Sequence, residues 1–168
     1  LVGCAVNAVL KNGSLNLYSG IRLFSALVFL SGAAGNDLRE KRIPNIFPLA
    51  MALIALGTHT AAYFGELNGE NTEFFGSLIA ALVVGLGLVL VSFLTKQGIG
   101  MGDVKLVSAL ALECGVFLFC RVLFFSMVWV AVVAVLLLLT KLKKLSDSLP
   151  FAPFLFLGFV TALLTISL

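Results

Sequence analysis

Between Glu73 and Lys96 the chain runs from Phe74 to Thr95 without one charged side chain. About 20 such residues are what an α-helix needs to cross the hydrocarbon of a bilayer. In that solvent every backbone N–H and C=O must be satisfied inside the structure, so a chain built of such runs is committed to helices. The rest of the sequence agrees: 61% of residues are hydrophobic and 11% charged, where soluble domains carry roughly a quarter charged. A water-soluble fold does not fit. The 168 residues leave room for about six spans and no separate soluble domain of useful size. The expectation is one all-α, polytopic membrane domain over residues 17–168.

Apolar runs place the helices at about Leu17–Asp37, Ile46–Phe64 and Phe74–Thr95, then two sharing Val104–Thr140, and a last one after Pro150 that runs to Leu168. Proline at the head of that last helix suits it, because the missing donor would be unpaired there anyway. The boundary between the fourth and fifth helices falls either at Glu113-Cys114-Gly115 or at Cys120-Arg121. The first is preferred, because the second buries Glu113 in mid-helix, where an unpaired acid costs several kcal/mol. Residues 1–16 stay unassigned: Lys11 follows the apolar stretch Leu1–Leu10, the reverse of a secretory signal.

Charge sorts by loop. Arg39, Lys41, Arg42, Lys96, Lys105, Lys141, Lys143 and Lys144, eight of the eleven basic residues, follow the first, third and fifth helices. Lys11, Arg22 and Arg121 fall on the other side with Glu66, Glu70, Glu73 and Glu113. Short basic loops stay cytoplasmic, so both termini are expected outside, in a multi-pass protein of the inner (plasma) membrane.

Two acids stand out on the cytoplasmic side. Asp37 lies in Asn36-Asp37-Leu38-Arg39-Glu40-Lys41-Arg42-Ile43-Pro44-Asn45, and Asp103 in Gly98-Ile99-Gly100-Met101-Gly102-Asp103-Val104-Lys105-Leu106. Ionisable groups at membrane depth are costly and point to function. Two close carboxyls share one proton, because both cannot ionise cheaply at short range. One then activates water while the other donates to a carbonyl. Such a pair needs close backbones. Ser31-Gly32-Ala33-Ala34-Gly35 before Asp37, and Gly98, Gly100 and Gly102 before Asp103, supply the small residues that allow this. Helix dipoles favour the charged form of Asp103, at a helix start, over Asp37, at a helix end. Arg39, Lys41 and Arg42 push the other way on Asp37, so which acid is the base stays open.

Each feature has a bland counterpart when taken alone. An aspartate at a helix boundary is commonly a solvated interfacial residue. The glycine run lacks the G-K-[ST] continuation of a phosphate loop, and Pro44 alone marks a loop-to-helix junction. The single histidine, His59, lies far from both aspartates and reads as structural. Cys4, Cys114 and Cys120 form no C-x-x-C pair, which supports neither a metal nor a redox site. No cofactor, metal or nucleic-acid partner is expected.

In combination, the segments around Asp37, Pro44 and Asn45, the Gly100-Met101-Gly102-Asp103 run with Lys105, and Pro150-Phe151-Ala152-Pro153-Phe154 continuing to Gly158 resemble the type IV prepilin peptidase and archaeal preflagellin peptidase family of membrane aspartic peptidases. The resemblance covers roughly residues 20–165. It implies that Asp37 and Asp103 are the catalytic pair, with Pro44, Asn45, Gly98, Gly100, Gly102 and Lys105 as supporting motif residues. It implies removal of a short basic leader from prepilin-like precursors at the cytoplasmic face, without metal or covalent intermediate. Longer bifunctional members carry paired C-x-x-C motifs and methylate the new terminus. Their absence from this sequence makes methyltransferase activity unexpected and resembles the minimal type that serves tight-adherence pili. Glu40 and Asp147 are acidic candidates for gripping the leader.

The principal rival is a small proton- or cation-coupled transporter with the two aspartates as a relay. It gives no reason for both acids to face one side, and a relay would more naturally place acids at several depths. A non-catalytic assembly subunit is the third reading. It predicts that either aspartate can be replaced without loss of processing.

Overall fold

A computed structural model describes residues 17–40, 42–65, 71–94, 100–139 and 150–166. They form five helical segments: α1 (Leu17–Glu40), α2 (Ile46–Gly65), α3 (Asn71–Leu94), α4 (Met101–Leu139) and α5 (Ala152–Ile166). Among the described residues there is no strand, so the all-α expectation holds. Phe75–Leu94 in α3 and Met101–Leu137 in α4 are long and apolar enough to cross a membrane, while Ile46–Ala61 and Ala152–Thr165 are shorter apolar helices. One side of α3 leaves Phe75, Ile79, Leu82, Leu86, Leu90 and Phe93 exposed. A stripe of that size is a liability in water and ordinary against lipid. The apolar helices are those of a membrane protein.

The expected fourth and fifth helices are present as the two parts of α4, which breaks at Gly115 (φ 71°, ψ 170°). The break falls inside the Glu113-Cys114-Gly115 turn preferred from the sequence, and Cys120 and Arg121 lie within the helix beyond it. Neighbouring contacts fix where the second part goes. A Cβ on Gly158 of α5 would collide with Ser126 Oγ and lie 2.7 Å from Val122 O. Gly158 is only about 9 Å along its helix from Ala152, and Ala152 is bonded to Asp37. A straight α4 would carry Val122 about 28 Å away from Asp103. The chain therefore turns back at Gly115 toward the end it came from.

The first part of α4 is the centre of the bundle. Leu106, Val107, Ala109, Leu110 and Ala111 are buried in one core with Ala26, Leu30 and Ala33 of α1, Met51 of α2, and Leu155, Phe159 and Ala162 of α5. α3 runs antiparallel to it, with Gly85 beside Ser108 and Ser77 beside Gly115. Hydroxyls along these apolar helices bond back to their own backbone, as Ser108 does to Val104 O and Ser126 to Val122 O. This satisfies them without a partner helix.

Candidate active site

Asp37 ends up where a helix start needs an acceptor. It lies in the last turns of α1, is 6% exposed, and its Oδ2 accepts the Ala152 N–H at 3.0 Å. Ala152 is the first residue of α5, where the leading N–H groups have no partner inside the helix. Pro150 and Pro153 carry no N–H, while Phe151 O is used by Phe154 N and Leu155 N. Asp37 thus caps α5 from a different helix. The sequence shows the aspartate and the proline pair, but not that one faces the other.

Asp103 lies in the first turn of α4. Its carboxyl is within electrostatic reach of Asp37, so the structure brings the two acids to the same end of the bundle. The glycines make that possible. A Cβ on Gly100 would sit 3.2 Å from Asp103 Oδ2, and one on Gly102 would sit 3.1 Å from Ile43 Cβ and 3.4 Å from Ile43 O. The α1–α2 linker therefore lies directly on the start of α4. Lys105 Nζ donates to Asn45 Oδ1 at 3.0 Å, closing the same junction from the solvent side. Pro44 is half-buried beside it, and Arg39, Glu40 and Arg42 are exposed around the rim. Lys41, Gly98 and Asp147 lie outside the described residues. No group of three or more His, Cys, Asp or Glu that could hold a metal is formed among the described residues.

Sequence reasoning missed a second polar cluster at the other end of the same half-helix. Glu113 is 3% exposed, and its Oε1 accepts from Ser25 Oγ at 2.5 Å. Arg22 of α1 lies within electrostatic reach of Glu113. His59 of α2 is 4% exposed, with Nε2 3.1 Å from Leu112 O and Arg22 Nη1 2.7 Å from Nε2 and 3.0 Å from Nδ1. The signal was present in the sequence: four polar residues inside apolar runs. The turn was read as an outer loop, whereas it is buried between helices.

Residues 24–135 match the type IV leader peptidase family. The chain is 29% identical over 147 residues to a prepilin leader peptidase/N-methyltransferase of Bacillus subtilis (strain 168), covering 86% of this chain and 56% of that protein. It is 31% identical over 96 residues to the prepilin peptidase EppA of Methanococcus maripaludis, covering 57% of this chain and 23% of that one. The chain thus spans little more than half of the first relative and about a quarter of the second. No solved structure matches it. Both aspartates, the linker between α1 and α2 and the Gly115 break fall inside the matched stretch, and the chain belongs to the type IV leader peptidase family.

Proposed function

We propose that the chain is an aspartic endopeptidase that removes the short basic leader of prepilin-like precursors at the cytoplasmic face of the inner (plasma) membrane. The observation that carries the reading is that Asp37 and Asp103 lie at one end of the bundle, where the α1–α2 linker packs on the start of α4. Family membership and the prepilin peptidases among its relatives supply the substrate class. The proposed chemistry is peptide hydrolysis alone, which is what a carboxyl pair provides.

One carboxylate takes a proton from water, and the other, protonated, donates to the scissile carbonyl; the pair holds one proton between them. The observed capping suggests which is which. The Ala152 N–H and the positive end of the α5 dipole sit on Asp37, and both interactions are strongest with an ionised acceptor. Asp37 is therefore proposed as the base and Asp103 as the acid. This reverses the roles that the helix ends alone suggest, because the α5 start facing Asp37 enters only with the fold. The exposed Arg39, Arg42 and Lys105 at this end favour a cytoplasmic setting. Exposed Glu40 stands on the rim as a partner for a basic leader.

A relay would want a polar path between acids at different depths. Glu113 does lie deeper than Asp103. Between them, however, Val104, Leu106, Val107, Ala109, Leu110, Ala111 and Leu112 are buried apolar residues, and Ser108 is bonded to its own backbone. That interval is an apolar plug, so the transporter reading is not favoured.

The test is co-expression with a candidate prepilin, scoring leader removal by mass. Asp37→Asn and Asp103→Asn preserve volume and remove the titrating group. Each single variant is expected to lose at least about a thousandfold in rate, since a group acting as a unit with its partner cannot be half replaced. Full processing by either variant at normal abundance rules out the shared pair.

A further inference from the structure

We propose that Ser25, Arg22, His59 and Glu113 form a positioning clamp at the Gly115 break, setting the height and rotation of the Asp103 half-helix against the Asp37 helix. The proposal rests on the peptidase reading for its catalytic consequence and on geometry alone for its structural one.

A backbone break within a bundle of apolar helices is tolerated only where its freed polar groups find partners inside the protein. Here the carbonyl of Leu112, three residues before the break, lies 3.1 Å from His59 Nε2. His59 is held by Arg22 of α1, and Ser25, three residues on from Arg22, donates to Glu113. Two helices, α1 and α2, are thus pinned to one turn of α4. The other oxygen, Glu113 Oε2, is buried without a hydrogen-bond partner among the described residues, and the nearby guanidinium supplies the compensating charge.

The registers connect this cluster to the aspartates. Ser25 and Asp37 lie 12 residues apart on α1, and Glu113 and Asp103 lie 10 apart on α4, about 18 Å and 15 Å along their axes. The two helices run antiparallel, bonded directly at the break by Ser25 and Glu113 and carrying Asp37 and Asp103 at the other end. The interval between these ends is apolar packing; besides the clamp, the directional contact on this half-helix is Lys105 to Asn45 of the α1–α2 linker, at the opposite end. A slip of one residue moves the half-helix by 1.5 Å and turns it by about 100°, enough to take Asp103 out of line with Asp37. Misplacement of about 1 Å can cost a hundredfold in rate.

Side chains that keep the bonds are separated from those that lose them. Ser25→Ala and His59→Leu are expected to lower kcat for leader cleavage at least about tenfold with KM changed less than about threefold, because binding is left alone and alignment is not. Ser25→Thr keeps the hydroxyl and His59→Gln keeps an N–H for Leu112 O; both are expected within about threefold of the unsubstituted kcat. A second measurement needs no activity. Spin labels on Leu38→Cys and Met101→Cys, both exposed positions, in a chain with Cys4, Cys114 and Cys120 replaced by alanine, report the distance between the two helix ends. That distribution is expected to be narrow, to broaden or shift with Ser25→Ala or His59→Leu, and to recover with the Thr and Gln variants. Unchanged kcat and distance in the Ala and Leu variants overturn the clamp. So do Thr and Gln variants no better than Ala and Leu at equal abundance. If Ser25→Ala fails to accumulate, Glu113→Gln, which keeps an acceptor for Ser25 and loses the attraction to Arg22, is read instead by the same two criteria. If the unsubstituted chain does not cleave prepilin, the peptidase reading falls, and the distance measurement alone decides the clamp.

Discussion

At the scale of single residues, the candidate site is controlled by what is missing as much as by its carboxyls. A Cβ would be crowded at both Gly100 and Gly102, but by different neighbours. At Gly100 the obstruction is Asp103 Oδ2 itself, a side-chain tip that can rotate away. Gly100→Ala should leave the fold intact and displace the reacting oxygen. At Gly102 the obstruction is the Cβ and carbonyl of Ile43, a stiff β-branched residue and backbone, so the α1–α2 linker must move instead. Gly102→Val is expected to reduce cleavage by about 10- to 100-fold, with protein abundance lowered more than in Gly100→Ala; immunoblotting beside the cleavage assay checks both. Normal cleavage by Gly102→Val would mean that the linker is not a boundary of the site. The two aspartates and this glycine pattern were legible in the sequence, because each motif is local. The Ala152 N–H on Asp37 was not, since it joins positions 115 residues apart and depends on how α5 docks.

At the scale of the helical element, α4 and α5 contain two glycines that do opposite jobs. Gly115 has space: a Cβ there would be 3.5 Å from Ser77 Oγ, an ordinary contact. What forbids a side chain is its conformation, φ 71° with ψ 170°, a region that only glycine occupies freely and that costs of order 1–3 kcal/mol for other residues. Gly158 is the converse, a helical residue with Ser126 and Val122 pressed against it. Gly115→Ala is expected to lower the detergent unfolding midpoint by an amount that Ser77→Gly does not relieve. Gly158→Ala is expected to be relieved in part by Ser126→Gly, which removes the colliding hydroxyl. Equal behaviour of the two sites would mean that Gly115 is a packing position and the break is incidental. The turn itself was legible from an acid followed by glycine between apolar runs. Its burial was not: the sequence shows that Arg22, Ser25, His59 and Glu113 are costly in lipid, but not that they meet.

At the scale of the whole molecule, the directions of the helices make the topology testable. α1 runs toward the aspartate end and α2 runs away from it, since Asn45 sits beside Lys105 while His59 reaches Leu112 deeper in the bundle. The 20 residues of α2 cover about 30 Å, close to the thickness of the hydrocarbon. Arg42, before α2, and Asn68, after it, should therefore open on opposite faces of the membrane. The first part of α4 reaches Gly115 after only about 20 Å and turns back. It is a hairpin short enough to turn before reaching the far side, although its apolar length continues across Gly115. The positive-inside rule places the Arg42 end in the cytoplasm. A membrane-impermeant maleimide should label Arg42→Cys, in a background with the three native cysteines replaced, in inside-out vesicles and not in intact cells with a permeable outer layer. Asn68→Cys should show the reverse. Cys120, beyond the break, should react with neither, because a hairpin buried in lipid offers no thiol to water from either side. Labelling of Arg42→Cys from outside would place the aspartates on the wrong face for a leader held in the cytoplasm, and the proposed substrate would then fail while the carboxyl pair stood.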